Sequence, residues 1–340
     1  MYLAPLNYDR FFKKVFSDTK IAKRFLEDFL DQEIENITVL KSKHKITDDS
    51  AIVEFDYRCK IGDGYIIVDM QQWYKPDVVQ RFFIYHALNS VLQLEQLQKK
   101  ALGVESKDGK VKEIKDYREI EPVYTIIWMV DDNLKFDEDY VSYRLISHKA
   151  LEFIQNEHIW DTPVIKEIAK KREEVLKIIS NKTKRLDFLG KNHLIFMFQK
   201  NIVKNPKITK YKNWFEFAEK TKDQKNKEED FEQFKNDKVF LEMMKRLNQK
   251  DLKQEDYKYI QNQKEMWEKI QRLEQGYYED GKEDGFREGR EEGLQQGLQQ
   301  GQKEIVLLMF RKGKTIGEIS ELTNMSKEQI ENMINDTEKK

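Results

Sequence analysis

The chain reads as an α/β protein, a mixed sheet flanked by helices, with an all-helical C-terminal extension. Three observations predict this class. Apolar residues recur at helical spacing over 8–31 and 77–98. Runs rich in β-branched and aromatic residues occupy 51–71, 122–130, 141–147 and 193–199. From about residue 201 onward the strand signals stop. Helices alternating with strands and one hairpin give a mixed sheet with helices on its faces.

Taken in order, 8–31 places Phe11, Phe12, Val15 and Phe16 on one stripe with Phe25, Leu26 and Phe29, and puts Lys13, Lys14, Lys20, Lys23 and Arg24 on the solvated side. After a polar stretch around Asp48 and Asp49 comes AIVEFDYRCKI. There Ile52, Glu54, Asp56 and Arg58 share one face of a strand, and Val53, Phe55, Tyr57 and Cys59 the other. Gly62-Asp63-Gly64 supplies positive-φ residues for a tight hairpin. The returning strand YIIVDMQQW ends in Asp69 and Gln71. Pro76 opens a helix over 77–98, with Val78, Phe82, Tyr85, Leu88, Val91 and Leu92 spaced for burial. Residues 103–120 form a polar, exposed insertion. PVYTIIWMV has no polar face, the mark of a central strand, and 161–186 is a charged helix before the last strand, HLIFMFQ. Residues 212–275 are helical and charged, with Trp214, Phe215, Phe217, Phe231, Phe234, Met243, Met244 and Trp267 as packing anchors. The expected organisation is a core at 1–200, a helical region at 201–275, a glycine-spaced helix at 276–304 and a two-helix unit at 305–340.

Composition narrows the chemistry. Charged residues make up 36% of the chain, yet 61 basic residues against 62 acids leave a net charge of -1. Nucleic-acid binding would therefore need a local patch. A single cysteine, Cys59, excludes an internal disulfide and a cysteine metal site, and its strand context makes it a small packed side chain. The five histidines are scattered without ligand spacing, and His86 reads as a packed or surface residue. No apolar run reaches the roughly 18 residues of a membrane span, and the N-terminus lacks a signal peptide's apolar stretch, so no membrane partner and a cytoplasmic location are expected.

The chemistry-bearing feature is the hairpin. Asp56 lies about six residues before Gly62 and Asp69 about five beyond Gly64, so the two carboxylates are near-neighbours across the ladder. Gln71 projects from the same face as Asp69. Two close acids raise each other's pKa unless a divalent ion neutralises them, and hard oxygen ligands of this kind favour magnesium. A magnesium-held water could attack a phosphodiester, with the Gln71 amide orienting it. The competing reading is a solvent-facing strand that carries two acids in a charge-rich chain.

Asp56, then Asp69-Met70-Gln71 thirteen positions on, then a long aromatic-rich helix with Arg81, Tyr85 and Ser90 resemble the PD-(D/E)XK nuclease superfamily. More narrowly the chain resembles the recombination-promoting nuclease family, whose members are also labelled transposases. YDRFFKKVFSD is similar to that family's N-terminal signature, HLIFMFQK to its late core strand, and NWFEFAEKT to the segment that follows. The resemblance implies a restriction-endonuclease-like core that cuts DNA with Mg2+ in recombination or transposition. It implies Asp56 and Asp69 as metal ligands, Gln71 at the position of the superfamily's lysine, and Asp9 near the site on the first helix. Asp69 stands where the family usually has Glu, and Gln71 carries no charge where many superfamily members have a cation. A catalytically weak or inactive relative, acting as an oligomeric interaction protein, is the alternative. A solenoid or coiled-coil scaffold is a third reading, opposed by the strands at 51–71 and 122–130.

Gly281, Gly285, Gly289, Gly293, Gly297 and Gly301 recur every fourth residue. Each costs an isolated helix about 1 kcal/mol relative to alanine. Four residues advance a helix by roughly 400°, so the line of glycines spirals slowly around the axis and suits close packing on a partner. A self-association stalk making a homo-oligomer is expected, with a solvated tail as the other reading. In the last segment Thr315 with Glu318, and Ser326 with Gln329, fit capping boxes on two short helices separated by TNMS. That is helix-turn-helix spacing, suited to DNA reading or to a small packing module, and the second helix is net acidic.

Overall fold

A computed structural model describes the chain except residues 46–51, 63, 74, 106–110, 132–133, 162 and 339–340. Asp48, Asp49 and Asp63 fall outside the described residues. The chain divides into two units, Met1–Tyr257 and Lys258–Lys340.

The first unit opens with α1 (Asp9–Phe16) and α2 (Thr19–Leu30). The helix expected over 8–31 is broken because Asp18 caps a new one, its carboxylate accepting from the amides of Lys20 (2.8 Å) and Ile21 (3.4 Å). There follow β1 (Ile37–Val39), β2 (Lys43–Lys45), β3 (Ile52–Glu54), β4 (Tyr57–Ile61), β5 (Gly64–Gln71) and α3 (Val78–Leu92). Next come β6 (Lys99–Glu105), β7 (Val111–Lys115), β8 (Val123–Met129), β9 (Tyr140–Tyr143), α4 (His148–Ile154), α5 (Glu157–Asp161), α6 (Ile165–Ile179) and α7 (Asp187–Gly190). The unit's last elements are β10 (His193–Phe198), α8 (Gln199–Lys204), α9 (Lys212–Lys222) and α10 (Lys238–Leu247).

The six-stranded sheet has the order β1-β4-β5-β8-β10-β9, with β5, β8 and β10 parallel and the outer pairings antiparallel. β8 is central, as its apolar run requires: Ile126, Ile127, Trp128 and Met129 are all buried. One face carries Trp128 against Phe12, Phe25 and Phe215, so α1, α2 and α9 cover it. The other carries Ile127 and Met129 against Val78 and Phe82 of α3.

Several expectations are corrected. Residues 51–61 are not one strand: β3 pairs with β2 in a separate two-stranded sheet, and the chain bends at Phe55–Asp56 before β4. The face alternation expected there therefore fails, and Arg58, Tyr57 and Cys59 are all buried. Neither Gly62 nor Gly64 has positive φ. Gly64 is required because a Cβ there would lie 3.0 Å from the Tyr124 ring. Within and beside the insertion expected over 103–120, β6 and β7 pair antiparallel. Pro163 separates α5 from α6, which confines the helix expected over 161–186 to 165–179. Val91 on α3 is exposed.

The expected boundary near 200 does not divide the first unit, because residues 201–257 pack into it. The Asn226 side chain binds the N-terminal segment, accepting from the amides of Tyr2 and Leu3 (2.8 Å each) and donating to Leu3 O (2.9 Å). Trp214 is fully buried beside Phe16 and Phe25, its Nε1 donating to Asp28. Arg246 on α10 reaches Asp18 at 2.6 Å. The aromatic anchors read from the sequence do this packing: Phe215, Phe217, Phe231, Phe234, Met243 and Met244 are buried, whereas Trp267 is half-buried.

α11 (Gln254–Arg311), α12 (Ile316–Thr323) and α13 (Lys327–Glu338) complete the chain. Both capping boxes form: Thr315 N–H donates to Glu318 Oε2 at 2.9 Å, and Ser326 N–H to Gln329 Oε1 at 3.1 Å. Val306 near the end of α11 joins Ile319, Ile330 and Ile334 in a small buried core, so the last two helices need a third to close. No helix among the described residues is long and apolar enough to cross a membrane.

Candidate active site

The β4–β5 register sets the geometry. Tyr57 pairs with Val68, so the next pair outward is Asp56 with Asp69, at the carboxyl end of β5 where the parallel strands finish. Each backbone ties down the other side chain: Met70 N–H donates to Asp56 Oδ2 at 2.8 Å, and Asp56 N–H to Asp69 Oδ2 at 3.4 Å. Backbone amides thus engage one oxygen of each carboxylate, and Asp56 Oδ1 faces Lys13. Both side chains are buried, Asp69 to 7% exposure. Burial raises the pKa of Asp56 well above the usual carboxylate range, and the charges of Asp69 and Asp9 add to the rise. Burial likewise pushes Asp69 up to about 7, opposed by the Asp56 amide, Arg81 and Lys13.

Around this pair stand residues from three other elements. On α1, Lys13 Nζ lies 2.9 Å from Asp9 Oδ1, 3.0 Å from Glu54 Oε1 and 3.4 Å from Asp56 Oδ1. On α3, Arg81 donates to Gln71 Oε1 and stacks 4.6 Å from the Phe82 ring centroid. The Arg81 Nε is buried without an acceptor among the described residues. Burial first, then the charge of Asp69, raises the Tyr85 phenol.

The four residues singled out by sequence thus converge: Asp56 and Asp69 face each other, Asp9 sits beside Asp56, and Gln71 follows at the end of β5. The water-orienting part expected of Gln71 does not fit its surroundings. Gln71 is buried, its Nε2 donates to Trp73 O and its Oε1 accepts from Arg81, so both ends of the amide are engaged. Sequence reasoning missed Lys13 and Glu54. Lys13 was assigned to the solvated side of its helix, and the only signal for it was the i,i+4 spacing from Asp9. Strand alternation puts Glu54 on the face of Asp56 without giving it a part in the site, and Lys13 joins the two.

A groove of about 900 Å3, lined by Lys60, Tyr65, Gln93, Arg118 and Lys191 among others, opens at the amino end of β5 and includes neither carboxylate. Among the described residues no group of three or more His, Cys, Asp or Glu side chains stands ready to hold a metal. Two opposed, buried carboxylates with raised pKa values are nonetheless a fitting donor set for a hard cation that keeps several waters, as magnesium does.

No family model, no curated protein and no solved structure matches this chain.

Proposed function

We propose that the protein is a magnesium-dependent DNA endonuclease with a restriction-endonuclease-like core, of the recombination-promoting kind, and that Asp56 and Asp69 hold the metal. The observation that carries this reading is the direct opposition of two carboxylates at the carboxyl end of a parallel strand pair, Asp56 braced by the Met70 amide and Asp69 by the Asp56 amide. Ligand sites in sheets with parallel strands gather at that end. When bound, magnesium would acidify a water and offset charge on the scissile phosphate. Hydrolysis would join that water's oxygen to phosphorus as one phosphorus–oxygen bond to sugar breaks, with a proton leaving to solvent and another reaching the departing oxygen. The chain's own residues would brace the site. Backbone amides fix the carboxylates, Gln71 holds Arg81 at the rim, and Asp9 lies against Asp56.

The test is nicking of supercoiled plasmid by the purified chain with Mg2+, beside Asp69→Ala. Equal behaviour of the two proteins refutes the reading. The second reading, an oligomeric interaction protein of weak or no activity, is supported by the tail. A Cβ added at Gly285, Gly289, Gly293, Gly297 or Gly301 would meet nothing within 4 Å, so that line is open to another chain. Homo-oligomerisation through 276–304 is accordingly proposed, and sedimentation of the full chain as a strict monomer would rule it out.

A further inference from the structure

We infer that Lys13 is the positive group of this site, acting on the phosphate in place of the charge that Gln71 lacks. The inference rests on the nuclease reading above and adds to it a residue from a different element. Lysine on a helix surface ordinarily keeps its ammonium in water, because that group is compact and strongly hydrated. Here the ammonium is turned inward, the side chain only 32% exposed, and it lies within ion-pair distance of three carboxylates, those of Asp9, Glu54 and Asp56. Those acceptors come from α1, from β3 and from the bend before β4, so the position of Nζ is set by tertiary structure.

Two further observations assign this group a task. Asp56 Oδ2 is occupied by the Met70 amide, so Lys13 contacts Oδ1, the oxygen left to bind a cation. An ammonium that close to a metal-binding oxygen is close enough to meet whatever is bound on it. The other cation nearby, Arg81, donates to Gln71 and lies over the Phe82 ring, and its charge acts on Asp69 rather than on Asp56. Gln71 is neutral and engaged at both ends. Charge that builds on the phosphate oxygens during hydrolysis would thus find the Lys13 ammonium within reach. A group placed beforehand where charge develops contributes more to the transition state than to binding. Asp9 and Glu54 act as positioning residues for it.

The experiment uses the full-length chain with Mg2+ and compares plasmid nicking by wild type, Lys13→Met, Lys13→Gln, Lys13→Arg, Gln71→Lys and the double variant Lys13→Met/Gln71→Lys. Mn2+ binding by titration calorimetry and a thermal melt accompany each. Expected results are a fall in kcat of roughly 100-fold or more for Lys13→Met and Lys13→Gln, with KM nearly unchanged. Mn2+ binding should be retained or tighter, since a competing positive charge has gone. Lys13→Arg should keep most of the activity, and the double variant should recover about tenfold over Lys13→Met by restoring a cation from β5. Wild-type kcat in Lys13→Met and Lys13→Gln overturns the inference. So does a loss of nicking that only tracks a loss of Mn2+ binding or of the fold, which would make Lys13 a structural counter-ion. Nicking that survives Asp69→Ala, or no nicking by wild type, refutes the nuclease reading itself and the inference with it.

Discussion

At the amino end of β5, Lys60 pairs with Glu121 at 3.0 Å and the Tyr65 hydroxyl donates to Gln96 at 2.7 Å. That ion pair is half-exposed and neutral as a unit. At the carboxyl end of the same strand, two carboxylates face each other in a buried setting, with Asp9 and Glu54 close by and a single lysine among them. One strand therefore ends in a neutralised pair and begins its functional end in an excess of negative charge. A fold gains nothing in stability from the second arrangement, because burying like charges costs more than leaving them in water. On the function proposed above, the carboxyl end is where a cation and a phosphate would be received.

Four experiments break or sharpen that contrast, from the largest expected effect to the smallest. Asp56→Ala or Asp69→Ala should lower plasmid nicking with Mg2+ by roughly 1,000-fold, the equivalent of several kcal/mol of transition-state stabilisation, read from initial rates. Retained activity would place the chemistry elsewhere. Asp69→Asn should stabilise the metal-free protein at pH 8. The folded state raises Asp69 to about 7, so its protonated form is favoured by folding. The stability this gives is complete below the ordinary carboxylate pKa and is lost as pH rises through about 7. Against wild type the variant should gain on the order of 2–4 kcal/mol at pH 8 and nothing at pH 4, as measured by urea unfolding. Equal stability at both pH values would show that the pair is not strained.

Magnesium binding should displace a proton. Its apparent affinity should improve by about tenfold or more per pH unit as pH rises towards 7, as followed by calorimetry across that range. A flat profile would mean that both carboxylates are already ionised. At the other end of β5, Lys60→Met should cost at most about 1 kcal/mol in a thermal or urea melt, since a half-exposed pair is screened by solvent, and should leave nicking unchanged. A large loss there would erase the distinction between the two ends.

Much of this arrangement was legible in the residues. Asp56 and Asp69 could be placed opposite each other because a tight turn fixes the pairing of the strands it joins, and that inference depends only on counting from the turn. β8 could be named central because a strand without a polar face must be covered on both sides. The capping boxes at Thr315 and Ser326 were readable because they are local, each closing within three residues. The part of Lys13 was not readable. The sequence places Lys13 on the polar side of an amphipathic helix, and only the seating of α1 beside the Phe55–Asp56 bend brings it to Asp56. The role of Gly64 was misread for a related reason: its requirement comes from Tyr124 on β8, far along the chain, and not from the turn.

Periodicity and turn chemistry, which act over a few residues, thus determined by themselves the order of helices and central strands, the acid pair and the glycine-spaced helix. Which charges meet was decided by tertiary structure alone. Lys13 is drawn to Asp56, Arg81 is captured by Gln71, and residues 201–257 pack back onto the N-terminal helices. Contacts of that kind depend on how helices settle on a sheet, and the spacing of residues along one chain segment carries no record of its distant neighbours.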